Sequence, residues 1–543
     1  MKSNIVKVSG HMVCIEEKTI KDVEILICGK RIIRISENKN VDNVFIIPGF
    51  VDSHVHIESS MLIPSEFSNL AGKFGTVGVV SDPHEIANVC GIEGIEFMIE
   101  NAKNAFIKFY FGVPSCVPAT IFEKSGAELS SIEVEKLIKR KDMHFLSELM
   151  NYPAVINGEK DILRKIIAAK QVNKPIDGHA PGLSGDNLEK YISAGISTDH
   201  ETTTYSEGVE KIKKGMKLLI RKGSAADNFK DLYKIIDEFP ESVMLCTDDI
   251  HPGDLRKGHI NAIVKKGIDL GVDLYNILTA ACINPVKHYG LNIGLLGENE
   301  LADFVVLKDL KSFEVLETYV EGECFDANKS KIFVNNYPNI FVRKRIDIKS
   351  IEVNDRNQKI KVIEVTNGKL FTNKKIIKPK VHNGKIIADI ENDILKIVLL
   401  SRYDNSKPTV GFIKNFGINN GALASSIAHD SHNIICVGSN DADILGAINS
   451  IIDNKGCISV STDNTIDILP LPVGGIMSLE NPDYVADKHL ELSEKAKNIG
   501  SNLKAPFMTL SLMALLVIPE LKISDKGIFD VNTFQITSLF DES

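Results

Sequence analysis

Residues 45–58 read FIIPGFVDSHVHIE, an apolar run that passes directly into two histidines. The apolar side chains predict a buried strand, and His54 and His56, two positions apart, project from the same face of it. An open doubly wound sheet is the weaker alternative, because it usually has a glycine-rich phosphate turn after its first strand. The stretch therefore favours a parallel barrel with metal ligands at the end of its first strand.

Seven further apolar runs follow at spacings that leave room for helices. They are TVGVVSDPHE (76–85), FIKFYFGVPS (106–115), HFLSELMNY (144–152), PIDGHAPG (175–182), ISTDHETT (196–203), KLLIRKGSAAD (217–227) and SVMLCTDDIHP (242–252). The segments between them predict helices, for example over 132–139, 161–171 and 187–194. Strand–helix alternation through eight units predicts an α/β fold of the (β/α)8 barrel type.

The sequence on either side of these units predicts two further domains. Residues 1–47 and 298–345 contain short strand patterns such as RIIRIS, LADFVVLKD and KIFVNN, and together predict a small β-sandwich domain formed by both flanks. Residues 48–297 form the predicted barrel. Residues 346–543 predict a C-terminal α/β domain with the strands ILKIVLLSRY, PTVGFIKNF, NIICVGS and GCISVST and with helices over 441–452 and 489–498.

Composition limits the classes of partner. The 543 residues are 43% hydrophobic and 25% charged, as in soluble globular proteins. A net charge of −9 argues against a nucleic-acid partner, and the longest apolar run, 512–518, is far too short to span a membrane. The nine cysteines include no C-x-x-C pair, which fits a reducing cytoplasm. We expect a cytoplasmic protein that acts on a small molecule.

Ionisable residues stand at the ends of several predicted strands, and in a barrel those ends share one rim. A single histidine there is more often structural, and a single carboxylate more often caps a helix. Several rim positions in strand order instead predict a metal centre. Three or four histidines and one Asp can hold one ion, and a Glu with two oxygens can bridge to a second. The predicted ligands are His54, His56, Glu148, His179, His200 and Asp248.

Two stretches resemble the beginning and end of the catalytic barrel of the amidohydrolase superfamily: PGFVDSHVHIE (48–58) and NPVKHYGLNIGLLGENELADFVVL (284–307). Four others resemble the adenine deaminases of that superfamily: HVHIESSMLIPSEF (54–67), SDPHEIANVCG (81–91), SELMNYPAV (147–155) and LCTDDIHPGDL (245–255). The resemblance extends into the third region. Glu148 in place of a carboxylated lysine is unlike dihydroorotases and hydantoinases.

This resemblance implies hydrolysis of adenine to hypoxanthine and ammonia, a purine salvage reaction, by a hydroxide held on a metal. It implies a binuclear divalent centre with Mn(II) or Fe(II), and the types of donor also suit Zn. We expect a homo-oligomer, namely a dimer. By the same resemblance, His54, His56 and Asp248 would hold one ion and His179 and His200 the other, with Glu148 between them.

Four residues are candidate catalytic groups. Asp248 is the first candidate for a proton shuttle, and Asp249 resembles the Asp of adenosine deaminases that faces a purine nitrogen, although it is also a candidate helix cap. His84 and Glu85 would orient substrate or support ligands, or else lie solvated in a turn begun at Asp82. GHAPG lacks the Glu that adenosine deaminases carry, so the donor of a proton to N1 stays unassigned.

Candidate substrate contacts are Glu58, Asp249, Arg221 and Ser224, and Arg221 is alternatively an ion-paired strand residue. His429 and His432, in AHDSHN, are predicted to lie in a surface turn rather than in a lid over the barrel. The alternative functions are hydrolysis of a cyclic amide, deamination of another aminopurine, and a barrel that serves only as an assembly module.

Overall fold

The structure, a computed structural model, describes residues 5–224, 226–326, 334–463 and 465–541. The chain begins in a small sheet with strands β1 (Ile5–Cys14), β2 (Thr19–Cys28), β3 (Arg31–Glu37) and β4 (Phe45–Pro48). Val23, Ile25 and Ile27 of β2 are buried at alternate positions. Their period of two places the apolar side chains on one face of the sheet.

Eight parallel strands follow, and each coincides with one of the eight predicted runs, although β8 begins one residue before its run. They are β5 (Phe50–Val55), β6 (Thr76–Ser81), β7 (Lys108–Val113), β8 (Met143–Leu149), β9 (Ile176–Gly178), β10 (Thr198–Asp199), β11 (Lys217–Arg221) and β12 (Val243–Cys246). They pair in the orders β5-β6-β7-β8-β9 and β10-β11-β12. A parallel bridge between Val55 and Asp248 closes one seam, and Ser197 N–H donates to the Ile176 carbonyl, 2.9 Å away, across the other. The predicted barrel is confirmed.

Helices connect these strands. They are α1 (Pro64–Lys73), α2 (His84–Ala102), α3 (Ser131–Ile138), α4 (Tyr152–Asn157), α5 (Lys160–Gln171), α6 (Gly185–Ser193), α7 (Tyr205–Lys213), α8 (Phe229–Leu232), α9 (Lys234–Glu238), α10 (Pro252–Leu255), α11 (Ile260–Asp269), α12 (Leu274–Leu278) and α13 (Asn284–Tyr289). The helices predicted over 132–139, 161–171 and 187–194 correspond to α3, α5 and α6. In α5, Ile162, Ile166 and Ala169 are buried at helical spacing, which is how an amphipathic helix packs on a barrel.

The chain then returns to the first sheet with β13 (Phe304–Leu307), β14 (Val315–Val320) and β15 (Glu323–Cys324). The sheet has the order β15-β14-β13-β4-β1-β2-β3. Both flanks of the barrel therefore share one sheet, as the sequence predicts. Residues 331–333 of the predicted strand KIFVNN lie outside the described residues. The domain boundaries 1–47, 48–297, 298–345 and 346–543 stay predictions.

The C-terminal region contains, among the described residues, one large sheet of eight strands and two small sheets of two and three strands. Its strands are β16 (Ile360–Val365), β17 (Thr372–Ile377), β18 (Lys380–His382), β19 (Lys385–Ile387), β20 (Ile394–Leu400), β21 (Thr409–Lys414), β22 (Ala422–Ser425), β23 (Ile434–Gly438), β24 (Cys457–Thr462), β25 (Thr465–Pro470), β26 (Leu521–Ser524), β27 (Gly527–Asp530) and β28 (Gln535–Thr537). Its helices are α14 (Asp441–Asn454), α15 (Pro482–Asn498) and α16 (Pro506–Ser511). The main sheet has the order β17-β16-β21-β20-β23-β22-β24-β25, and β20, β21, β23 and β24 are the four predicted strands.

The C-terminal region packs against the barrel rim where β5 ends. Ser478 N–H donates to the Met61 carbonyl at 2.8 Å, and the apolar cluster that contains Ile57 and Met61 also contains Val473 and Met477. Barrel and C-terminal region thus share one hydrophobic core. Among the described helices, none combines the length and the apolar character that crossing a bilayer requires.

Candidate metal centre

The barrel brings the six predicted ligands together at one rim. His54 lies within β5, His56 just after it, and Glu148 within β8. His179 and His200 each follow a strand directly, and Asp248 comes two residues after β12. None of the six is more than 7% exposed. Side chains that are up to 194 residues apart therefore occupy one buried site, because the parallel strands all end at the same rim.

Glu148 lies between two halves of this ligand set. Its Oε1 is 3.2 Å from His56 Nε2 and 3.9 Å from His54 Nε2. Its Oε2 is 2.7 Å from His179 Nδ1 and 3.2 Å from His200 Nε2. Each carboxylate oxygen therefore faces a different pair of imidazoles.

Asp248 completes the half that contains the first two histidines. Its Oδ1 lies 3.5 Å from His54 Nε2 and 3.2 Å from His56 Nε2. The residue has a φ of 57°, a left-handed conformation that is uncommon outside glycine. Its backbone N–H donates to the His54 carbonyl at 2.9 Å, and its carbonyl accepts from His56 N–H at 3.2 Å. The closing seam of the barrel thus holds this strained residue beside both histidines.

The donor atoms fit a divalent metal centre. His54 Nε2 and His56 Nε2 face each other at 3.2 Å in a buried site, where two N–H groups would repel. Groups of ligand atoms that lie within 4.8 Å of one another include His54/His56/Asp248, His54/Glu148/His200 and His179/His200/Glu201. Mixed imidazole and carboxylate donors suit Mn, Fe(II), Co or Zn.

The charges of the site keep its carboxylates ionised. Burial acts against a charged Glu148, yet His200 and His179 hold the pKa of its carboxyl well below the usual value. Burial likewise acts against a charged Asp248, but Arg221 lowers the pKa of that carboxyl. Burial opposes the His200 imidazolium, and Glu148 nevertheless raises its pKa to about 9. The centre therefore offers anionic oxygens to a cation.

Glu201 also belongs to this site, although it is not among the ligands predicted from the sequence. Its Oε1 lies 3.6 Å from His200 Nε2 and 3.8 Å from His179 Nδ1. Alternation along a strand would place it on the opposite face from His200, but β10 ends at Asp199, so the chain has already left the strand. The sequence signal for Glu201 is an acidic residue directly after a histidine at a strand end.

Arg221 pairs with carboxylates of the site. Its Nη1 lies 2.6 Å from Glu201 Oε1 and also contacts Asp248 Oδ2. The side chain lines the same cavity as the predicted ligands. Arg221 is thus an ion-paired strand residue in this structure, which was the alternative interpretation. A contact between Arg221 and substrate stays a prediction.

His84 and Glu85 begin α2 and are buried, so the alternative of a solvated turn is wrong. Asp82 is buried as well, and its Oδ2 lies 2.9 Å from His84 Nδ1. The same imidazole nitrogen is 3.5 Å from Glu148 Oε1, and both His84 and Glu85 line the cavity. Asp82-Pro83 thus turns the chain inward at the rim instead of outward to solvent.

Asp249 faces the same cavity. Its Oδ1 accepts a hydrogen bond from Ser59 and lies 3.7 Å from His429 Nε2. The nearest helix begins at Pro252 with His251 as its N-terminal cap residue, so Asp249 does not cap it. The alternative of a helix cap is therefore wrong.

Two predicted substrate contacts have other partners. Ser224 Oγ donates to Asp254 Oδ2 at 2.8 Å, and Ser224 is not among the described residues that line the cavity. Glu58 is buried behind the rim, where its Oε1 accepts from Ile86 N–H at 3.1 Å, and burial raises the pKa of its carboxyl to about 7. Substrate roles for these two residues stay predictions.

His429 and His432 do not lie in a surface turn. They are 4% and 1% exposed, and both contact Glu85 of the barrel. The prediction was wrong because the polar AHDSHN segment suggests solvent, whereas the C-terminal region folds over the rim and buries it. Hydropathy alone gives no signal for a contact between residues 347 positions apart.

A buried network positions the segments that carry His179 and His200. Lys211 Nζ lies 3.0 Å from Asp199 Oδ2 and donates to the Ala180 carbonyl at 2.7 Å. Gly178 precedes His179, and a Cβ on it would meet the Thr198 carbonyl at 2.3 Å. Only glycine permits this approach of β9 and β10, which holds the two histidines side by side.

The cavity above the centre is polar below and apolar above. The carboxylates and imidazoles of the barrel line its floor. Met150 and four residues of the C-terminal region, Leu370, Leu512, Leu515 and Ile518, supply apolar walls. The cavity therefore offers a ligand many ionisable partners together with an apolar surface.

Comparisons with known proteins agree with this geometry. The amidohydrolase family model matches residues 45–325, and the model of the adenine deaminase C-terminal domain matches residues 369–535. The adenine deaminase of Methanosarcina barkeri is 52% identical over 530 residues, which cover 95% of this chain and 96% of the relative. That of Parabacteroides distasonis is 45% identical and covers 98% of each chain, and that of Borreliella burgdorferi is 44% identical over 98% of this chain and 99% of its own. The chain therefore belongs to the adenine deaminase family of the amidohydrolases.

Proposed function

We propose that this chain hydrolyses adenine to hypoxanthine and ammonia, as a purine salvage enzyme, at a centre of two divalent ions. The observation that carries the proposal is the position of Glu148, whose two oxygens face two different pairs of imidazoles. The near full-length similarity to relatives named adenine deaminase supports the substrate.

In this proposal His54, His56 and Asp248 hold one ion, His179 and His200 hold the other, and Glu148 lies between them. Mn(II) or Fe(II) are the preferred ions, and Zn is the alternative. Ions bound there would polarise water and lower its pKa towards neutrality, which supplies a nucleophile. Glu201, within 3.8 Å of both His179 and His200, would add negative charge to the second half.

The protein's own side chains would move the protons. Asp248 is proposed to take one proton of the attacking water and to deliver it to the amine that leaves C6 as ammonia. Glu85, with His84 beside it, lines the cavity and is proposed to pass the second proton of that water to ring atom N1. Asp249 is proposed to accept a hydrogen bond from a purine N–H. Because an aromatic ring resists attack and an amine leaves poorly, both proton transfers lower the barrier.

The remaining predictions concern contacts with the substrate, the cellular location and the oligomeric state. The apolar walls formed by Leu370, Leu512 and their neighbours would pack on the planar base and exclude water. Contacts from Arg221, Ser224 and Glu58 to the base stay proposals that rest on the sequence. The cytoplasmic location and the homodimer also rest on the sequence alone.

Ammonia release by the purified, Mn(II)-loaded protein tests this function. We expect turnover of adenine and none of hydantoin or dihydroorotate, because enzymes that open those rings carry a carboxylated lysine where this chain has Glu148. Turnover of a cyclic amide without turnover of adenine would contradict the proposal. The metal-loaded protein should be tested in parallel with other aminopurines, which defines the width of the substrate range.

A further inference from the structure

Two histidines of the C-terminal region contact one carboxylate of the barrel. His429 Nε2 lies 2.9 Å from Glu85 Oε1, and His432 Nε2 hydrogen-bonds to Glu85 Oε2. All three side chains are almost completely buried. Each oxygen of Glu85 therefore has its own imidazole partner, supplied by a turn that lies outside the barrel.

The hydrogen bonds around His432 define which of its nitrogens carries the proton. Ala428 N–H donates to His432 Nδ1 at 3.3 Å, so Nδ1 is an acceptor and Nε2 carries the hydrogen that points to Glu85. His432 N–H also closes the turn on the Ala428 carbonyl at 2.7 Å. Burial lowers the pKa of His432 to about 4, so the neutral ring with this one donor persists at physiological pH. His432 is thus a fixed donor to Glu85.

His429 is held from the opposite side. Its Nδ1 lies 2.7 Å from Ser511 Oγ, and its backbone N–H donates to the same oxygen at 3.3 Å. Its Nε2 lies between Glu85 Oε1 and Asp249 Oδ1, 2.9 and 3.7 Å away. Ser511 ends α16, and the segment that follows supplies Leu512 to the cavity wall. One imidazole therefore links the two carboxylates proposed to meet the purine ring.

We propose that His429 and His432 are positioning residues that hold the Glu85 carboxylate towards adenine, so that the active site is shared between the barrel and the C-terminal region. The inference rests on the proposed function. A carboxylate with a hydrogen bond at one oxygen and an imidazole 2.9 Å from the other keeps one orientation. An error of about 1 Å in the position of a reacting group can cost ~100-fold in rate. Without this turn the barrel keeps its metal ligands, but Glu85 loses the two imidazoles that contact its oxygens.

The competing explanation is that the two histidines only attach the C-terminal region to the barrel. His489 provides the matched control, because it is a buried histidine of the same region that packs its ring on His251 of the barrel, with centroids 4.6 Å apart. It is not among the described residues that line the cavity above the metal centre. If the two histidines only attach the C-terminal region, substitution of His432 and substitution of His489 should have the same effect on kcat.

The test uses the full-length, Mn(II)-loaded protein with His432→Leu, His432→Gln and His489→Leu. Leu fills similar space without a donor, whereas the Gln amide can donate to Glu85. We expect His432→Leu to lower kcat for adenine about tenfold or more, with KM within about threefold and metal content unchanged. His432→Gln should recover kcat to within about threefold of the wild type, and His489→Leu should keep it within about twofold.

Equal kcat for His432→Leu and His432→Gln, or a wild-type kcat in His432→Leu, would overturn the proposal. If His432→Leu does not fold, Ser511→Ala decides, since it removes only the hydroxyl that holds His429. A severalfold loss of kcat with metal content intact then supports the positioning role, and an unchanged kcat overturns it. Failure of the proposed function is separately visible, because the wild type itself would then release no ammonia from adenine.

Discussion

At the scale of single residues, the centre depends on how Glu148 divides its two oxygens. Oε1 faces His56 at 3.2 Å, and Oε2 faces His179 at 2.7 Å. A buried carboxylate without cationic partners would take up a proton, but here the surrounding imidazoles keep its pKa low. Without metal, the imidazoles of His200 and His179 therefore keep Glu148 in the anionic form that metal binding requires.

Replacing Glu148 tests this arrangement. Glu148→Gln keeps the size but replaces one oxygen with an NH2 group, which cannot bind a cation. We expect loss of at least one ion per chain and a fall in activity beyond the ~10–100-fold that loss of an outer-sphere partner costs. Elemental analysis and ammonia release measure both effects.

Glu123 is the matched control for that experiment. It is also a buried glutamate, but burial raises the pKa of its carboxyl to about 8, so it is largely neutral at pH 7 and Gln resembles its protonated form. Glu123→Gln should keep metal content and activity. Unchanged metal content and rate in Glu148→Gln would remove Glu148 from the centre.

At the scale of elements, short strands and the loops after them position the ligands. β9 and β10 contain only three and two residues, so hydrogen bonds beyond the strands must hold His179 and His200 in place. Lys211 of α7 supplies them through Asp199 and the Ala180 carbonyl. The sequence predicts each of the eight strands because their apolar runs are long or bounded by turns. It does not predict Glu201, because strand periodicity no longer applies after Asp199.

Lys211→Met should destabilise the barrel and weaken metal binding at His179 and His200. Removing one partner of a buried ion pair leaves an uncompensated charge on Asp199, which costs ~3–5 kcal/mol. The midpoint of thermal unfolding and the metal content measure the two effects. Lys214→Met, which removes a lysine paired near the surface with Glu189, should cost no more than ~1 kcal/mol. Equal shifts for the two variants would contradict this role of Lys211.

At the scale of the whole molecule, the active site is built by two regions that share a hydrophobic core. The barrel supplies the ligands. The sequence predicts them because they stand at the ends of successive strands, and the ends of parallel strands lie at one rim. The C-terminal region supplies Leu370, His429 and the apolar residues after Ser511. The sequence alone does not predict these, because no periodicity relates a turn in one sheet to the rim of a barrel hundreds of residues earlier.

We propose that adenine is deaminated only when both halves of the ligand set hold an ion. Titration of the metal-depleted, full-length protein with Mn(II), with ammonia release from adenine measured at each ratio of bound metal to chain, tests that claim most directly. We predict that activity stays low up to one ion per chain and rises as the second ion binds. Full activity at one ion per chain, or no release of ammonia from adenine at two, would contradict it.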